Sequence, residues 1–296
     1  MTESGQQDLA RRFEQNRGRL RAVAFRMLGA SGEADEAVQE AWLRLARSDA
    51  EKIEDLASWL TTVVARICLD MLRVRKARRE EPLGPHVPDP IVSPVAGGDP
   101  EHEALVADSV GLAMLGVLET LSPEERTAFV LHDMFSVPFE QVGDLLGRSP
   151  VAARKAASRA RKRVEAEPTA PDVDLDRQRE VVDAFFEAAR EGDFEALVEV
   201  LHPDVVIRAD GGEGRPSANH VIRGAAEVAS RALTYAHLSP FVRPVLVNGV
   251  AGVLVAPRGR PFSVMAFTVA GGRVVAIDAV ADPARLARLE LGAMSR

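Results

Sequence analysis

The stretch from Leu121 to Val164 constrains the fold of this chain more than any other. It contains two helix starts, Ser122-Pro123-Glu124-Glu125 and Ser149-Pro150, in which a capping hydroxyl precedes a proline at the first helical position. Pro138 opens a short helix between them, and Gly147-Arg148-Ser149 connects that helix to the last one. A tight connection containing glycine is typical of a helix-turn-helix. The stretch therefore predicts three helices, of which the last two form this motif.

The last of these helices has a narrow apolar stripe and a cationic surface. Its stripe repeats at helical spacing and consists of small residues, which permit close packing: Ala153, Ala157, Ala160 and Val164. Its other faces carry Arg154, Lys155, Ser158, Arg159, Arg161 and Lys162. Such a helix suits the major groove of DNA. A basic surface helix on a bundle is the alternative, and the two capped starts and the tight turn disfavour it.

The distribution of charge supports contact with a polyanion. The net charge of the 296-residue chain is −7, which by itself does not indicate a nucleic-acid-binding protein. Residues 73 to 79 nevertheless hold five positive charges and residues 154 to 163 hold six, with no acidic residue in either run. Two basic patches in an acidic protein predict two contacts with one polyanion.

Residues 8 to 79 predict a helical bundle. The second helix places an apolar stripe around Trp42 opposite a polar face of Asp35, Glu36, Gln39 and Glu40. The third helix starts near Ser58 and runs to about Arg75. Its predicted buried side is Leu60, Val63, Val64, Ile67, Met71 and Val74, and another of its faces carries Thr62, Arg66, Asp70 and Arg73.

Two proline-rich breaks divide the rest of the chain. Residues 80 to 105 contain six prolines, which predicts an extended, semi-rigid linker without helix or strand. A helix over 106 to 119 follows it. After the second break, at 167 to 172, the pattern predicts two helices, a strand, a helix over 225 to 237 and a meander of four strands joined by glycine turns. This order predicts a curved sheet wrapped on helices.

These segments together resemble a known family. The segments VQEAWLRL, a Ser-Trp-Leu-led helix with a basic end, and SPEERTAFVLHDMF…FEQVGDLLGRSPVAARKAASRARKRV resemble bacterial sigma factors of the extracytoplasmic-function type, which have only regions 2 and 4. The C-terminal order resembles the SnoaL-like cone. The resemblance implies a multidomain chain with two all-α sigma modules and a C-terminal α+β cone, in which a curved antiparallel sheet packs on helices. Its parts are region 2 at 8–79, the Pro-rich linker at 80–105, the region 4 helix-turn-helix at 106–166 and the SnoaL-like domain at 175–296.

The resemblance also implies a function. The chain is expected to bind core RNA polymerase at its β′ clamp and β flap, to recognise a two-element promoter and to direct transcription initiation. Asp35, Glu36, Gln39 and Glu40 are expected to face the polymerase. The minus-ten element is assigned to Thr62, Arg66, Arg73, Arg75 and Lys76. The minus-thirty-five element is assigned to Val151, Arg154, Lys155, Ser158, Arg159 and Lys162.

Three motifs of one sigma-factor group occur here in altered form. A linker motif close to Trp-Leu-Pro-Glu-Pro reads His86-Val87-Pro88-Asp89-Pro90, a glycine-rich motif reads Asp210-Gly211-Gly212-Glu213-Gly214-Arg215, and an Asn-Pro-Asp-Lys-Leu motif reads Asp282-Pro283-Ala284-Arg285-Leu286. They imply control of the sigma factor by its own C-terminal domain. The regulatory residues are expected to be Pro88, Asp89, Pro90, Asp210, Gly211, Gly212, Asp282, Pro283 and Leu286. A simple strand-to-helix loop is the alternative for the glycine-rich motif.

The sequence gives no sign of catalysis. The possible acids and bases of the C-terminal part do not form a recognisable pair: His202, Asp204, His220, Tyr235, His237 and Asp278. No metal-ligand spacing, cofactor motif, signal peptide or membrane span is evident, and the lone Cys68 is typical of the cytoplasm. An apolar cone could hold a small molecule.

Two other functions remain open. One is a DNA-binding regulator that acts without replacing a sigma subunit and senses a ligand with its cone. The other is an isomerase- or hydrolase-like enzyme with a helical appendage.

Overall fold

The chain forms two compact units. The computed structural model describes residues 3–48, 53–77, 87–95, 111–166, 172, 174–289 and 291. The described parts of Met1–Glu81 and Val117–Val164 form the first unit, and those of Pro82–Gly116 and Glu165–Arg296 form the second. Within these described ranges, no helix combines the length and the apolar character that a membrane span requires.

Three long helices begin the first unit. They are α1 (Glu3–Leu28), α2 (Ser31–Arg47) and α3 (Leu56–Ala77). The buried stripe of α3 is centred on Val64, Cys68 and Leu72, which follow each other every four residues. Val74 lies at the edge of this stripe, three residues before α3 ends at Ala77. Its side chain is 49% exposed, so its predicted burial was wrong.

The predicted helix-turn-helix is confirmed. It follows α4 (Leu112–Glu119) and consists of α5 (Pro123–Phe129) with a π-helical extension, α6 (Phe139–Leu146) and α7 (Pro150–Glu165). Ser122 and Glu125 form a reciprocal capping box at the start of α5. Gly147 ends α6 in the left-handed conformation with φ 65°, which glycine adopts without steric cost. The predicted helix over 106–119 begins at Leu112, and residues 106–110 lie outside the described residues.

One buried arginine joins the helix-turn-helix to the three long helices. Arg126 of α5 is 2% exposed, and its Nε donates to the carbonyl oxygen of Arg26 at 3.2 Å. Burial lowers the pKa of Arg126 to about 10, and the carboxylate of Glu119 opposes that shift. A Cβ atom on Gly29, which turns from α1 to α2 with φ 79°, would lie 2.7 Å from Glu119 Oε1. Glycine at this position therefore leaves room for a carboxylate beside a buried guanidinium.

The second unit is a sheet packed on helices. Its helices are α8 (Leu175–Glu191), α9 (Phe194–Val200), α10 (Ala225–Thr234) and α11 (Pro283–Leu286). Its strands are β1 (Val92–Ser93), β2 (Leu201–Asp210), β3 (His220–Arg223), β4 (Val242–Val247), β5 (Val250–Val255), β6 (Ser263–Ala270) and β7 (Arg273–Val280).

The strands form one sheet in the order β1-β4-β5-β6-β7-β2-β3. The meander from β4 to β7 is antiparallel as predicted, and β2 runs parallel to β7. Phe185 and Phe186 of α8 pack edge-on against Phe267 of β6, at the centre of an apolar core between the sheet and its helices. This arrangement is the α+β cone that the resemblance implied.

Part of the predicted linker belongs to this sheet. The prediction that residues 80–105 contain neither helix nor strand was wrong at Val92 and Ser93, which pair antiparallel with Leu246 and Val247 of β4. Residues 91–93 lie between prolines and keep their N–H groups, so they can extend the sheet at its edge, where nearby prolines are tolerated. The remaining linker residues, 80–86 and 96–105, lie outside the described residues.

A buried carboxylate lies in the middle of the sheet. Asp278 of β7 is 2% exposed, and its Oδ1 accepts from Arg208 of β2 at 3.1 Å. Its Oδ2 has no hydrogen-bond partner within the described part of the chain. Burial raises the pKa of Asp278, and Arg208 opposes the shift only in part.

This raised pKa makes stability depend on pH in a defined direction. The folded protein binds the proton of Asp278 more tightly than the unfolded chain does. The contribution of this proton to the free energy of unfolding is therefore complete below the ordinary pKa of 3.8 and is lost as pH rises through the pKa of the folded protein. We expect Asp278→Asn to remove this slope from urea unfolding curves, followed by circular dichroism at a series of pH values. Asp204→Asn, which changes an exposed carboxyl on β2, is the matched control. Equal slopes in wild type and Asp278→Asn would contradict the assignment.

Candidate functional sites

The three altered motifs meet around one guanidinium. Arg285 is 8% exposed, and its Nε donates to Asp89 Oδ1 at 2.8 Å while its Nη1 donates to Asp210 Oδ2 at 2.6 Å. Its Nη2 donates to the carbonyl oxygen of Val87 at 2.5 Å. The linker, the glycine-rich loop and the end of the chain are thus connected by one side chain, which we call the Arg285 junction. Its members are Val87, Asp89, Asp210 and Arg285.

The carboxylate of Asp210 is the second centre of this junction. Its Oδ2 also accepts from the backbone N–H of Val87 at 3.1 Å, and its Oδ1 accepts from Gly212 N at 3.0 Å. Asp210 ends β2, so the sheet fixes its position. Two groups of Val87, the N–H and the carbonyl, are therefore bound by side chains that lie far away in sequence.

The glycine-rich loop is shaped for close approach to α11. Gly212 has φ 57°, and a Cβ atom there would collide with the carboxylate of Asp282. Asp282 in turn caps α11 by accepting from Ala284 N at 2.9 Å. A Cβ atom on Gly214 would lie 2.9 Å from Pro283. Because only glycine leaves this space, the loop has a packing role beyond that of a simple turn.

The predicted regulatory residues all lie at or beside this junction. Pro88, Pro90 and Leu286 are buried, and Gly211 N donates to Asn219 Oδ1 at 2.6 Å. The prediction omitted Arg285, Val87 and Asn219 from the site. Arg285 is the basic residue of the terminal motif, and the available signal was its positive charge together with the aspartates of the other two motifs. Val87 acts through its backbone, which leaves no trace in residue type.

A side-chain amide fastens the linker to the sheet a few residues further along. Asn248, in the β4–β5 turn, donates its backbone N–H to Ile91 O at 2.8 Å and accepts from Ile91 N through Oδ1 at 2.8 Å. Asn248 has φ 50°, a conformation that asparagine tolerates better than most residues. The segment 87–95 is therefore held at two points, the Arg285 junction and Asn248.

The predicted minus-thirty-five helix presents its cations to solvent. Val151, Arg154, Lys155, Arg159 and Lys162 are exposed, and Ser158 is half-buried. The guanidinium of Arg159 donates to Glu125 Oε1 at 2.6 Å. Asp133 accepts from Arg161 Nε at 3.0 Å. The carboxylates of α5 and its extension thus orient arginines on α7.

Four of the predicted minus-ten residues lie on one side of α3, and Arg75 lies on another side, facing α1 and α2. Arg66, Arg73 and Lys76 are exposed, whereas Thr62 and Arg75 are half-buried. Thr62 donates to the Ser58 carbonyl oxygen at 3.0 Å, so its hydroxyl is bound within the helix. Arg73 lies 3.5 Å from Glu124 of α5, and Arg75 pairs with Glu33 of α2. Two of the five predicted DNA-binding side chains are therefore engaged by carboxylates.

The predicted polymerase-binding face of α2 is accessible. Asp35, Glu36 and Gln39 are exposed and Glu40 is half-buried. Asp35 accepts from Arg21 at 2.6 Å, and Glu40 accepts from Arg44 at 2.9 Å. The four residues share one face, where ion pairs hold two of the carboxylates.

The possible acids and bases do not form one constellation. His202 accepts from Asp204 N, Tyr235 and His237 have ring centroids 6.5 Å apart, and Asp278 pairs with Arg208. Among the described residues, no group of three or more His, Cys, Asp or Glu side chains is arranged to hold a metal ion.

The comparisons with known proteins decide the family. The Sigma-70 region 2 model matches residues 12–79, and the Sigma-70 region 4 model matches residues 112–164. The chain is 39% identical over 284 residues to the ECF RNA polymerase sigma factor SigJ of Mycobacterium tuberculosis, an alignment that covers 92% of this chain and 91% of SigJ. The chain belongs to the extracytoplasmic-function RNA polymerase sigma factors. The predicted resemblance is confirmed.

Two further matches extend over nearly the whole sigma factor. The probable ECF RNA polymerase sigma factor SigI of M. tuberculosis is 35% identical, with 94% of this chain and 95% of SigI covered. The crystal structure of M. tuberculosis SigJ matches with a TM-score of 0.78 and 35% identity, covering 95% of this chain and 99% of that chain. The C-terminal unit is therefore shared with these relatives and is not an addition peculiar to this sigma factor.

The Arg285 junction makes a direct prediction about stability. Arg285→Met keeps an unbranched side chain of similar flexibility but removes the guanidinium that binds the buried Asp210 carboxylate. We expect a loss of about 3–5 kcal/mol in the free energy of unfolding of the second unit, measured by urea denaturation. Arg288→Met removes an exposed arginine two residues beyond α11 and should change the value by less than about 0.5 kcal/mol. Similar losses in the two variants would argue against a special role for Arg285.

Proposed function

We propose that this sigma factor binds core RNA polymerase, recognises a promoter of two elements and directs transcription initiation in the cytoplasm. The observation that carries this proposal is the helix-turn-helix, whose last helix exposes a cationic surface. It occurs in one chain with a region 2 module that has a second cationic helix and an acidic face. A regulator that binds duplex DNA alone would not need the region 2 module.

Each module has a distinct partner in this proposal. Asp35, Glu36, Gln39 and Glu40 bind the β′ clamp of the core enzyme, and the helix-turn-helix reaches the β flap. Residues of α3 bind the minus-ten element, and residues of α7 bind the minus-thirty-five element. Catalysis of RNA synthesis belongs to the core enzyme, so the sigma factor itself carries no catalytic residue.

Promoter phosphates must replace some of the observed carboxylate partners. Glu124, Glu125 and Glu33 pair with Arg73, Arg159 and Arg75, which are predicted DNA contacts. The three arginines are partly or well exposed, although Glu125 is only 13% exposed. Ion pairs of solvent-exposed side chains are weak, so phosphate can displace the carboxylates at modest cost. Binding should depend strongly on salt, because each phosphate contact releases counterions.

The C-terminal unit controls initiation through the linker. The Arg285 junction and Asn248 hold residues 87–95 on this unit, and the same residues lie in the chain between the two promoter-binding modules. A held segment shortens the chain that is free to span the two promoter elements. Release of the junction therefore increases the range of positions that the two modules can reach, and we propose that it raises initiation.

The two alternatives make different demands. A DNA-binding regulator would act without core polymerase, and the acidic face around Asp35 would then have no binding partner outside the chain. An enzyme would need convergent acid and base groups. A small-molecule ligand of the cone stays a prediction. Such a ligand would supply a natural signal for release of the linker.

Run-off transcription with core polymerase and a promoter library tests this proposal. We expect the full-length protein to direct specific initiation, Arg285→Met to raise its level severalfold, and Arg288→Met to match the wild type. We expect the double charge reversal Asp35→Lys and Glu36→Lys to abolish initiation through loss of core binding. If no version directs initiation while the protein still binds DNA, the regulator takes the place of the sigma factor. If initiation is specific but identical in wild type and Arg285→Met, the proposed control is wrong.

A further inference from the structure

One apolar side chain stands out on the cationic surface of α7. Val151 is 58% exposed, the highest value for any large hydrophobic side chain in the described part of the chain. It is the second residue of α7, directly after Pro150. A β-branched residue adds little to helix propensity and gains nothing from core burial at this position. Its side chain therefore suits contact with a partner outside the chain.

The surroundings of Val151 are polar. Arg148, Ser149, Arg154 and Lys155 are all exposed around the first turn of α7. This end of a recognition helix approaches the base edges in a helix-turn-helix. In that position the apolar side chain of Val151 would face the bases. Its cationic and polar neighbours would face the phosphates and the polar edges of the bases.

A stack of three side chains fixes the geometry beside Val151. The guanidinium carbon of Arg154 lies 5.1 Å from the centroid of the Phe139 ring. The Phe139 ring stacks on His132, with ring centroids 3.6 Å apart and planes inclined by 24°. Phe139 is buried at the start of α6, so Arg154 is held against a rigid platform. Because Arg154 lies three residues after Val151, the two side chains are neighbours on one face of α7.

We propose that Val151 selects a thymine in the upstream promoter element through its C5-methyl group. The methyl of thymine is the apolar group that the major groove displays, and an exposed valine is complementary to it. Arg154, positioned by Phe139, donates to N7 and O6 of a nearby guanine. Neighbouring side chains on a helix are about 5–6 Å apart at Cβ, and successive base pairs are about 3.4 Å apart, so this guanine lies one or two base pairs from the thymine. This inference rests on the proposed promoter recognition by α7.

The test uses holoenzyme assembled from the full-length chain and core polymerase. Each thymine of the upstream element is replaced singly by deoxyuridine, which lacks only the methyl group, and binding is measured by competition. We expect one position at which the methyl contributes about threefold or more to affinity for the wild type. Val151→Ala, which removes the two γ-methyl groups, should show a smaller preference for the thymine promoter over the deoxyuridine promoter at that position. Val221→Ala, which changes an exposed valine on β3, should retain the wild-type preference.

A parallel arm tests the positioning role of Phe139. Each guanine is replaced by 7-deazaguanine, which removes the N7 acceptor, and the affinity ratio of the two promoters is compared. Phe139→Leu keeps an apolar side chain in the core but removes the aromatic platform. We expect it to reduce the guanine preference next to the thymine, an effect that a general loss of stability would not produce.

The outcomes separate the inference from the proposed function. A holoenzyme that initiates specifically but shows no methyl-dependent position overturns the inference alone. So does a Val151→Ala variant that keeps the wild-type thymine preference. A chain that supports no initiation on unmodified promoters overturns both.

Discussion

The structure of the second unit depends on one buried guanidinium. Arg285 binds a carboxylate of the linker, a carboxylate at the end of β2 and a backbone carbonyl of the linker. Burying a charge is costly unless partners surround it, and here the partners come from three distant parts of the chain. The requirement to satisfy Arg285 therefore couples the linker, the glycine-rich loop and the last helix. Separation of any two of these segments would expose a buried charge to solvent or remove one of its hydrogen bonds.

The same constraint gives the linker two roles. In sequence it connects two promoter-binding modules, and in the fold its residues 92–93 form an edge strand of the C-terminal sheet. This double role is the basis of the proposed control, in which the C-terminal unit limits how far apart the two promoter-binding modules can reach. The first unit has a comparable buried arginine, Arg126, which joins the helix-turn-helix to α1 and α2 through Arg26, Glu119 and Gly29. Each unit thus contains a buried guanidinium whose contacts fix how the surrounding elements pack against one another.

Much of this architecture follows from local sequence signals. The caps at Ser122 and Ser149 and the left-handed Gly147 specify the helix-turn-helix, because each satisfies backbone groups within a few residues. The meander follows from short apolar runs rich in valine and from the glycine turns that separate them. The regulatory motifs were located by resemblance, and the structure brings them together.

The remaining features depend on contacts between distant residues. Strand β1 forms by pairing with β4, and its two residues are too few to show the pattern by which a strand is predicted. Strand β3, four residues long with two exposed side chains, was not predicted for the same reason. The exposure of Val74 reflects its position at the edge of the buried stripe near the end of α3, and the role of Val87 depends on its backbone.

The central claim is that Arg285 holds the linker on the C-terminal unit, and hydrogen exchange measures this most directly. The amides of Val87, Ile91 and Ser93 should be protected in the full-length wild-type protein. In Arg285→Met they should exchange much faster, while the amides of β6 and β7 keep protection above that of the linker. Equal protection of the linker in both proteins would show that Arg285 does not hold it and would contradict the account.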